Sequence, residues 1–132
     1  MGVVLFGTNE TDNYLNDTMG DSEYKHVTSF HNLEKINLNF FRRIDEITVE
    51  NQPEKAGDIM DALIVGIDML TRHCGSKKYK KRIFLITDGE KEAKCTDSEL
   101  KTIITNMNTN DIRLNVISLD FCNELAEDED DE

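Results

Sequence analysis

Two apolar runs in this chain show no alternation. Val3 to Phe6, inside Gly2 to Gly7, and Ile83 to Ile86, inside Arg82 to Glu90, are continuous. That is the pattern of strands covered on both faces, as in a parallel sheet with helices on either side. Both are therefore expected to be interior strands. Thr8 to Asp21 is rich in Asn, Asp, Thr and Gly and predicts a turn-forming loop. Tyr24 to Phe30, with β-branched Val27 and Thr28, predicts a strand returning antiparallel onto Gly2 to Gly7.

Elsewhere the apolar positions recur at helical spacing. Asn39 is placed to cap a helix carrying Phe40, Phe41, Ile44 and Ile47, with Pro53 beyond its end. Gly57 or Asp58 opens the most apolar helix: Ile59, Leu63, Ile67 and Leu70 form its stripe, and Met60, Ile64 and Met69 widen it. Its narrow polar face holds Asp58, Asp61, Asp68 and Arg72. Asp68 and Arg72 stand four apart in the favourable acid-first order, so these carboxylates read first as a solvated face. Thr96-Asp97-Ser98-Glu99 is a capping box ahead of Leu100, Ile103, Ile104 and Met107. Asn108 to Asn110 end that helix, and Ile112 to Leu119 alternates in part, as a strand nearer a sheet edge does. The expected order is strand, strand, helix, helix, strand, helix, strand.

Composition narrows the partners. A chain of 132 residues forms one small domain. Residues 1–120 are expected to be that domain and 121–132 an acidic tail or linker. The net charge is −12, and Glu124 to Glu132 contributes seven acidic residues to it. An acidic domain is a poor freestanding nucleic-acid binder, because phosphate attraction dominates such affinity. The basic cluster Lys77, Lys78, Lys80, Lys81 and Arg82 is open to three readings: a phosphate-facing patch, a nuclear address or a solvated loop before a strand. No apolar run approaches the roughly 18 residues of a membrane span, so no membrane partner is expected. The N-terminus lacks a basic leader and a cleavage site, which points to an intracellular chain. Cys74, Cys95 and Cys122 are odd in number, widely spaced and outside any zinc pattern, and are expected to be reduced thiols.

Catalytic patterns are sparse. Gly2 and Gly7 have the separation of a phosphate loop, but they enclose an apolar strand and no lysine follows, which argues against nucleotide binding of that type. His26, His31 and His73 neither pair at helical spacing nor adjoin a nucleophile, and no triad is visible. Asp88 follows the apolar run Ile83 to Ile86, at the strand end where ligands gather in open α/β sheets. The favoured reading is a strand-to-loop turn with Gly89, because Asp88 has no evident chemical partner in the sequence.

The strand end Ile86-Thr87-Asp88-Gly89-Glu90 resembles that of von Willebrand factor A domains, in which an Asp at this point helps to hold magnesium. The family's Asp-x-Ser-x-Ser does not occur here. The loop Glu54-Lys55-Ala56-Gly57-Asp58 lacks the family's Thr, which leaves Asp88 as a remnant position, with no metal and no cofactor expected. Further stretches sharpen the likeness: Val4-Leu5-Phe6-Gly7-Thr8 with Thr11-Asp12-Asn13, Tyr24-Lys25-His26-Val27-Thr28, and Gly57 to Val65. In order and spacing these resemble the N-terminal A-type domain of the larger Ku subunit over nearly the whole chain.

The resemblance implies an α/β fold: a von Willebrand factor A-like, Rossmann-like three-layer sandwich. Its sheet is mostly parallel with an antiparallel edge strand. The family's first strand and helix have no counterpart here, and that strand lies between those matching Gly2 to Gly7 and Ile83 to Ile86. The expectation is either a gap at that place or direct pairing. The resemblance also implies a non-enzymatic interaction module of the DNA-end-binding heterodimer that acts in double-strand break repair by nonhomologous end joining and in telomere maintenance, although the family is associated with ATP-dependent DNA helicase activity. It implies a nuclear location and the smaller Ku subunit as partner through the full-length protein. DNA ends are partners only within the heterodimer, and short basic-hydrophobic repair-factor peptides dock on this domain. Leu15, Tyr24, Asp58, Asp61 and Ile64 match the docking positions by motif. Leu15 and Ile64 read equally as core packing, and Tyr24 as a partly buried strand residue. The competing readings are a metal-dependent A-type ligand binder and an Asp-nucleophile phosphatase. The first needs a full ligand set, and the second needs another carboxylate and a lysine near Asp88.

Overall fold

The computed structural model describes residues 1–48, 57–89 and 91–119. In chain order the elements are β1 (Val3–Phe6), α1 (Tyr14–Met19), β2 (Val27–His31), α2 (Leu38–Asp45), α3 (Ile59–Cys74), β3 (Lys81–Thr87), α4 (Asp97–Thr109) and β4 (Ile112–Ser118). The strands form two separate pairs: β1 with β2 antiparallel, β3 with β4 parallel. This is the expected α/β mixture with its antiparallel edge, and it carries the expected gap between Gly2 to Gly7 and Ile83 to Ile86.

Helix α3 joins the halves. Its Ala62 and Val65 are buried with Val27 against Val4 and Phe6, while Leu63 and Ile67 are buried with Ile103, Met107 and Ile112 against Ile83. One helix thus supplies both small cores, as its wide apolar stripe requires. Asp58 caps it, with the carboxylate accepting from the Met60 amide. Helix α4 opens on the capping box read from the sequence: the Thr96 hydroxyl accepts from the Glu99 amide and the Glu99 carboxylate accepts from the Thr96 amide.

Four expectations are corrected. Ile83 to Ile86 is not covered on both faces: Phe84 and Ile86 remain 55% and 54% exposed, since β3 pairs only with β4 and its second face has no described element over it. Gly2 to Gly7 is likewise not interior, because β1 has β2 on one side only and is partly buried throughout. The first loop contains a helix, α1, capped by Asn13. The second strand begins at Val27, because Tyr24 and His26 adopt left-handed φ of 51° and 59°, which no strand admits.

Smaller shifts follow from capping. Asn37, not Asn39, accepts from the Phe40 amide and opens α2. The helix ends at Asp45, so Ile47 lies beyond it, and Phe41 is exposed while Phe40 packs edge-on against His31 with ring centroids 5.1 Å apart. Cys74 is a buried free thiol and Cys95 a partly exposed one. Pro53, Cys122 and the acidic residues Glu124 to Glu132 lie outside the described residues, as do Glu54, Lys55 and Ala56. No helix among the described residues is long and apolar enough to cross a membrane.

Candidate interaction surface on helices α1 and α3

Asn13 organises the first loop. It is only 2% exposed, and its side chain makes three hydrogen bonds: Nδ2 donates to the carbonyls of Tyr24 (3.0 Å) and Val27 (2.9 Å), and Oδ1 accepts from the Asn16 amide (2.8 Å). One buried amide therefore caps α1 and fixes the strained approach to β2. The His26 ring is held through Nδ1 to the Thr8 carbonyl at 2.9 Å, and its backbone amide donates to Thr11 Oγ1 at 2.9 Å. Tyr24 is thus placed against α3 by its neighbours' bonds, without belonging to a strand.

Leu15 and Tyr24 both pack on the core of Val27, Ala62 and Val65. Beside them the guanidinium of Arg72 lies 4.0 Å from the Tyr14 ring centroid and is bonded through Nε to Asp68 Oδ2 at 2.7 Å. This stack docks α1 on α3 through a cation over an aromatic face. Sequence periodicity pairs Asp68 with Arg72 but gives no hint that Tyr14, seen as a loop residue, completes the set.

Asp61 is the electrostatic centre. Its carboxyl is pushed above the usual carboxylate range by burial first, then by the charges of Asp58, Glu23 and Glu99. The Tyr24 phenol is pushed up too, by burial and then by Asp61, Glu23 and Asp68. Acidic groups from the first loop, α3 and α4 therefore bear on this carboxyl; Glu23 and Glu99 were not among the docking positions matched by motif, Glu99 being read only as the capping-box acid of α4. Asp61 was expected on a solvated face, yet it is half-buried.

Asp58 stands at the rim with its carboxylate doubly engaged. One oxygen caps Met60 and the other accepts from the Lys94 amide at 2.7 Å. Ile64, one turn beyond Asp61, packs in part against the core of Leu63, Ile67, Ile103, Met107 and Ile112. The structure thus groups Leu15, Tyr24 and Asp61 on the α1 side of α3, with Asp58 at its N-terminus and Ile64 toward α4. Asp88 lies past the end of β3, where Thr87 Oγ1 accepts from the Gly89 amide at 3.1 Å in a local turn. Among the described residues no three His, Cys, Asp or Glu side chains gather as a metal-binding group.

An α/β domain with two half-sheets bridged by one helix, and an acidic, partly apolar surface on that helix, defines the class. The chain belongs to the Ku family: the model of the Ku70/Ku80 N-terminal alpha/beta domain matches residues 1–130. It is 34% identical over 127 residues to X-ray repair cross-complementing protein 5 of Dictyostelium discoideum, covering 96% of this chain and 15% of that protein. It is 31% identical over 121 residues to ATP-dependent DNA helicase II subunit 2 of Aspergillus oryzae, covering 92% and 16%. With ATP-dependent DNA helicase 2 subunit KU80 of Oryza sativa subsp. japonica it shares 32% over 122 residues, covering 89% and 17%. The chain thus spans about a sixth of the length of these relatives.

Proposed function

We propose that this chain is a non-enzymatic protein-interaction module of the Ku DNA-end-binding heterodimer, serving double-strand break repair by nonhomologous end joining and telomere maintenance in the nucleus. Its own contribution is to dock short basic-hydrophobic peptides of repair factors on the α1–α3 surface. Pairing with the smaller subunit and contact with DNA ends belong to the full-length protein. The observation that carries this reading is the convergence of Asp58, Glu23 and Glu99 around half-buried Asp61, next to the apolar flanks of Leu15, Tyr24 and Ile64. A clustered acidic rim beside apolar anchors matches a peptide with alternating cationic and apolar side chains, and charge sets its register. Helicase appears in the names of relatives about six times longer than this chain, and this module takes no share in that activity.

The test is fluorescence anisotropy with a labelled basic-hydrophobic peptide on the wild type and on Ile64→Arg and Tyr24→Ala, with circular dichroism as a folding control. Each folded variant is expected to weaken binding at least about tenfold. Equal affinity in all three proteins removes the site.

A further inference from the structure

We infer that the basic cleft where β3 and β4 begin is the docking site of this chain's own acidic run, Glu127 to Glu132, a tethered counter-anion that keeps other polyanions out. The site is separate from the α1–α3 surface and does not depend on it.

The register of the parallel pair builds the cleft. Arg82 of β3 and Arg113 of β4 are partners on strands about 4.8 Å apart, so two guanidinium groups leave one face of the sheet side by side. Lys80 and Lys81 precede the first and Asp111 the second, and these five residues line a cleft of about 140 Å³. Four cations thus face one carboxylate, on a chain whose net charge is −12. Like charges on neighbouring positions of adjacent strands repel. Among the described residues neither guanidinium has a salt-bridge partner, while Lys81 is held by the Asn110 carbonyl at 2.9 Å. An oxyanion set between Arg82 and Arg113 accepts from both and relieves the repulsion.

Charge and reach select the occupant. The field of an acidic chain repels a polyanion arriving from solution, whereas a tether holds its own carboxylates near the cleft at an effective concentration of about a millimolar. Glu127 to Glu132 is an unbroken run of acids, and it lies outside the described residues. The described chain leaves the sheet at Leu119, whose amide donates to the Thr87 carbonyl at 2.9 Å, at the end of β3 and β4 remote from the cleft. From Leu119 back to Arg113 is about 20 Å at the rise of a strand. The chain between Leu119 and Glu127 spans up to about 27 Å, so the run reaches the cleft with slack. A small cleft takes one or two carboxylates, and any neighbours in the run serve, so no exact register is required.

The test is zero-length carbodiimide coupling on the whole chain at low salt, which joins an amine to a carboxylate only where the two are in contact, followed by peptide mapping. Lys80 is expected to couple to residues 127–132 at least about tenfold more than Lys25 or Lys35, which precede β2 and α2. In a mixture of isotope-labelled and unlabelled chains, the coupled pair should come from one molecule. Arg82→Gln with Arg113→Gln, folding checked by circular dichroism, is expected to lower the Lys80 yield at least about fivefold, and salt at about 0.5 M to do the same. Replacing the acids of 127–132 by their amides opens the cleft: calorimetry with inorganic tripolyphosphate should show affinity raised at least about tenfold, and Arg82→Glu in that background should remove the gain. The inference is overturned by equal coupling of these lysines, by coupling between molecules, by a Lys80 yield unchanged in the double arginine variant or in high salt, or by no gain for tripolyphosphate or one that survives Arg82→Glu.

Discussion

The carboxylate of Asp58 and the amide of Lys94, thirty-six positions apart, are bonded at 2.7 Å, while the second oxygen of the same carboxylate caps α3 at the Met60 amide. One side chain thus ties the loop after β3 to the start of the helix that joins the half-sheets. Asp58→Asn separates the two duties, because an amide oxygen can still cap while its NH2 cannot accept from Lys94. The variant is expected to retain α3 protection in hydrogen exchange while residues 91–95 exchange faster. Asp58→Ala removes the cap as well and is expected to cost about 1–2 kcal/mol in urea unfolding.

Asn13 predicts a larger loss. Asn13→Ala deletes the α1 cap and leaves the Tyr24 and Val27 carbonyls without their donor in a buried site. The expected cost is about 3 kcal/mol in a denaturant titration, with Tyr24 displaced and peptide binding lost alongside. Asn13→Asp keeps the cap acceptor but sets a carboxylate oxygen against the two carbonyls in place of the donor, so at neutral pH it should be no more stable than Asn13→Ala.

Asp61 gives the pH signature. Its folded pKa lies above its unfolded value through burial and the charges of Asp58, Glu23 and Glu99. Its contribution is therefore favourable at low pH, where it holds a proton in the folded state, and is lost as pH rises through the raised folded pKa. At neutral pH the charged Asp61 opposes folding. Asp61→Asn should raise the unfolding midpoint at pH 7, and the gain should shrink toward pH 3, where both proteins are neutral at this position. In the same variant peptide affinity should fall, because the rim loses its central charge.

Gly57 tests the join between β1 and α3. A Cβ there would collide with backbone, namely the Gly7 nitrogen and the His26 carbonyl oxygen, which cannot swing aside as a side chain would. Gly57→Ala is expected to destabilise by about 1–3 kcal/mol in thermal or urea unfolding, although alanine elsewhere ahead of a helix is benign.

What the sequence shows of this fold divides by the range of the interaction. Helices α3 and α4 are legible from periodicity and from the Thr96-Glu99 capping box, because those signals are local. Strands β1, β2, β3 and β4 are found, and β4 is exposed as its partial alternation suggested, but the burial of β1 and β3 is misjudged: a continuous apolar run such as Ile83 to Ile86 reports what a strand is suited to, not what covers it. Helix α1 is hidden because Asn13 is a turn residue by composition, and only its distant bonds to Tyr24 and Val27 reveal a cap. For the candidate surface, motif likeness names Asp58, Asp61 and Tyr24. The convergence of Glu23 and Glu99 on Asp61 depends on three elements meeting, which no local pattern encodes.

Charge decides the last expectation, that this chain alone does not hold duplex DNA ends at physiological salt. A net charge of −12 sets an overall field that repels phosphate. The structure nevertheless gathers a basic corner: Arg82 and Arg113 are register partners on neighbouring strands, and with Lys80, Lys81 and Asp111 they line a cleft of about 140 Å³. Lys81 is already committed to the Asn110 carbonyl at 2.9 Å. The cleft thus offers Lys80, Arg82 and Arg113 against the acidic Asp111, so any attachment should be weak, indifferent to DNA sequence and confined to low salt. Anisotropy on a labelled duplex is expected to show binding only well below about 0.1 M salt, where screening is weak. Arg82→Glu should abolish that residual binding without changing peptide affinity on the α1–α3 surface. Tight binding to duplex ends that persists at physiological salt would mean that this corner, not the acidic rim, is the working surface of the chain.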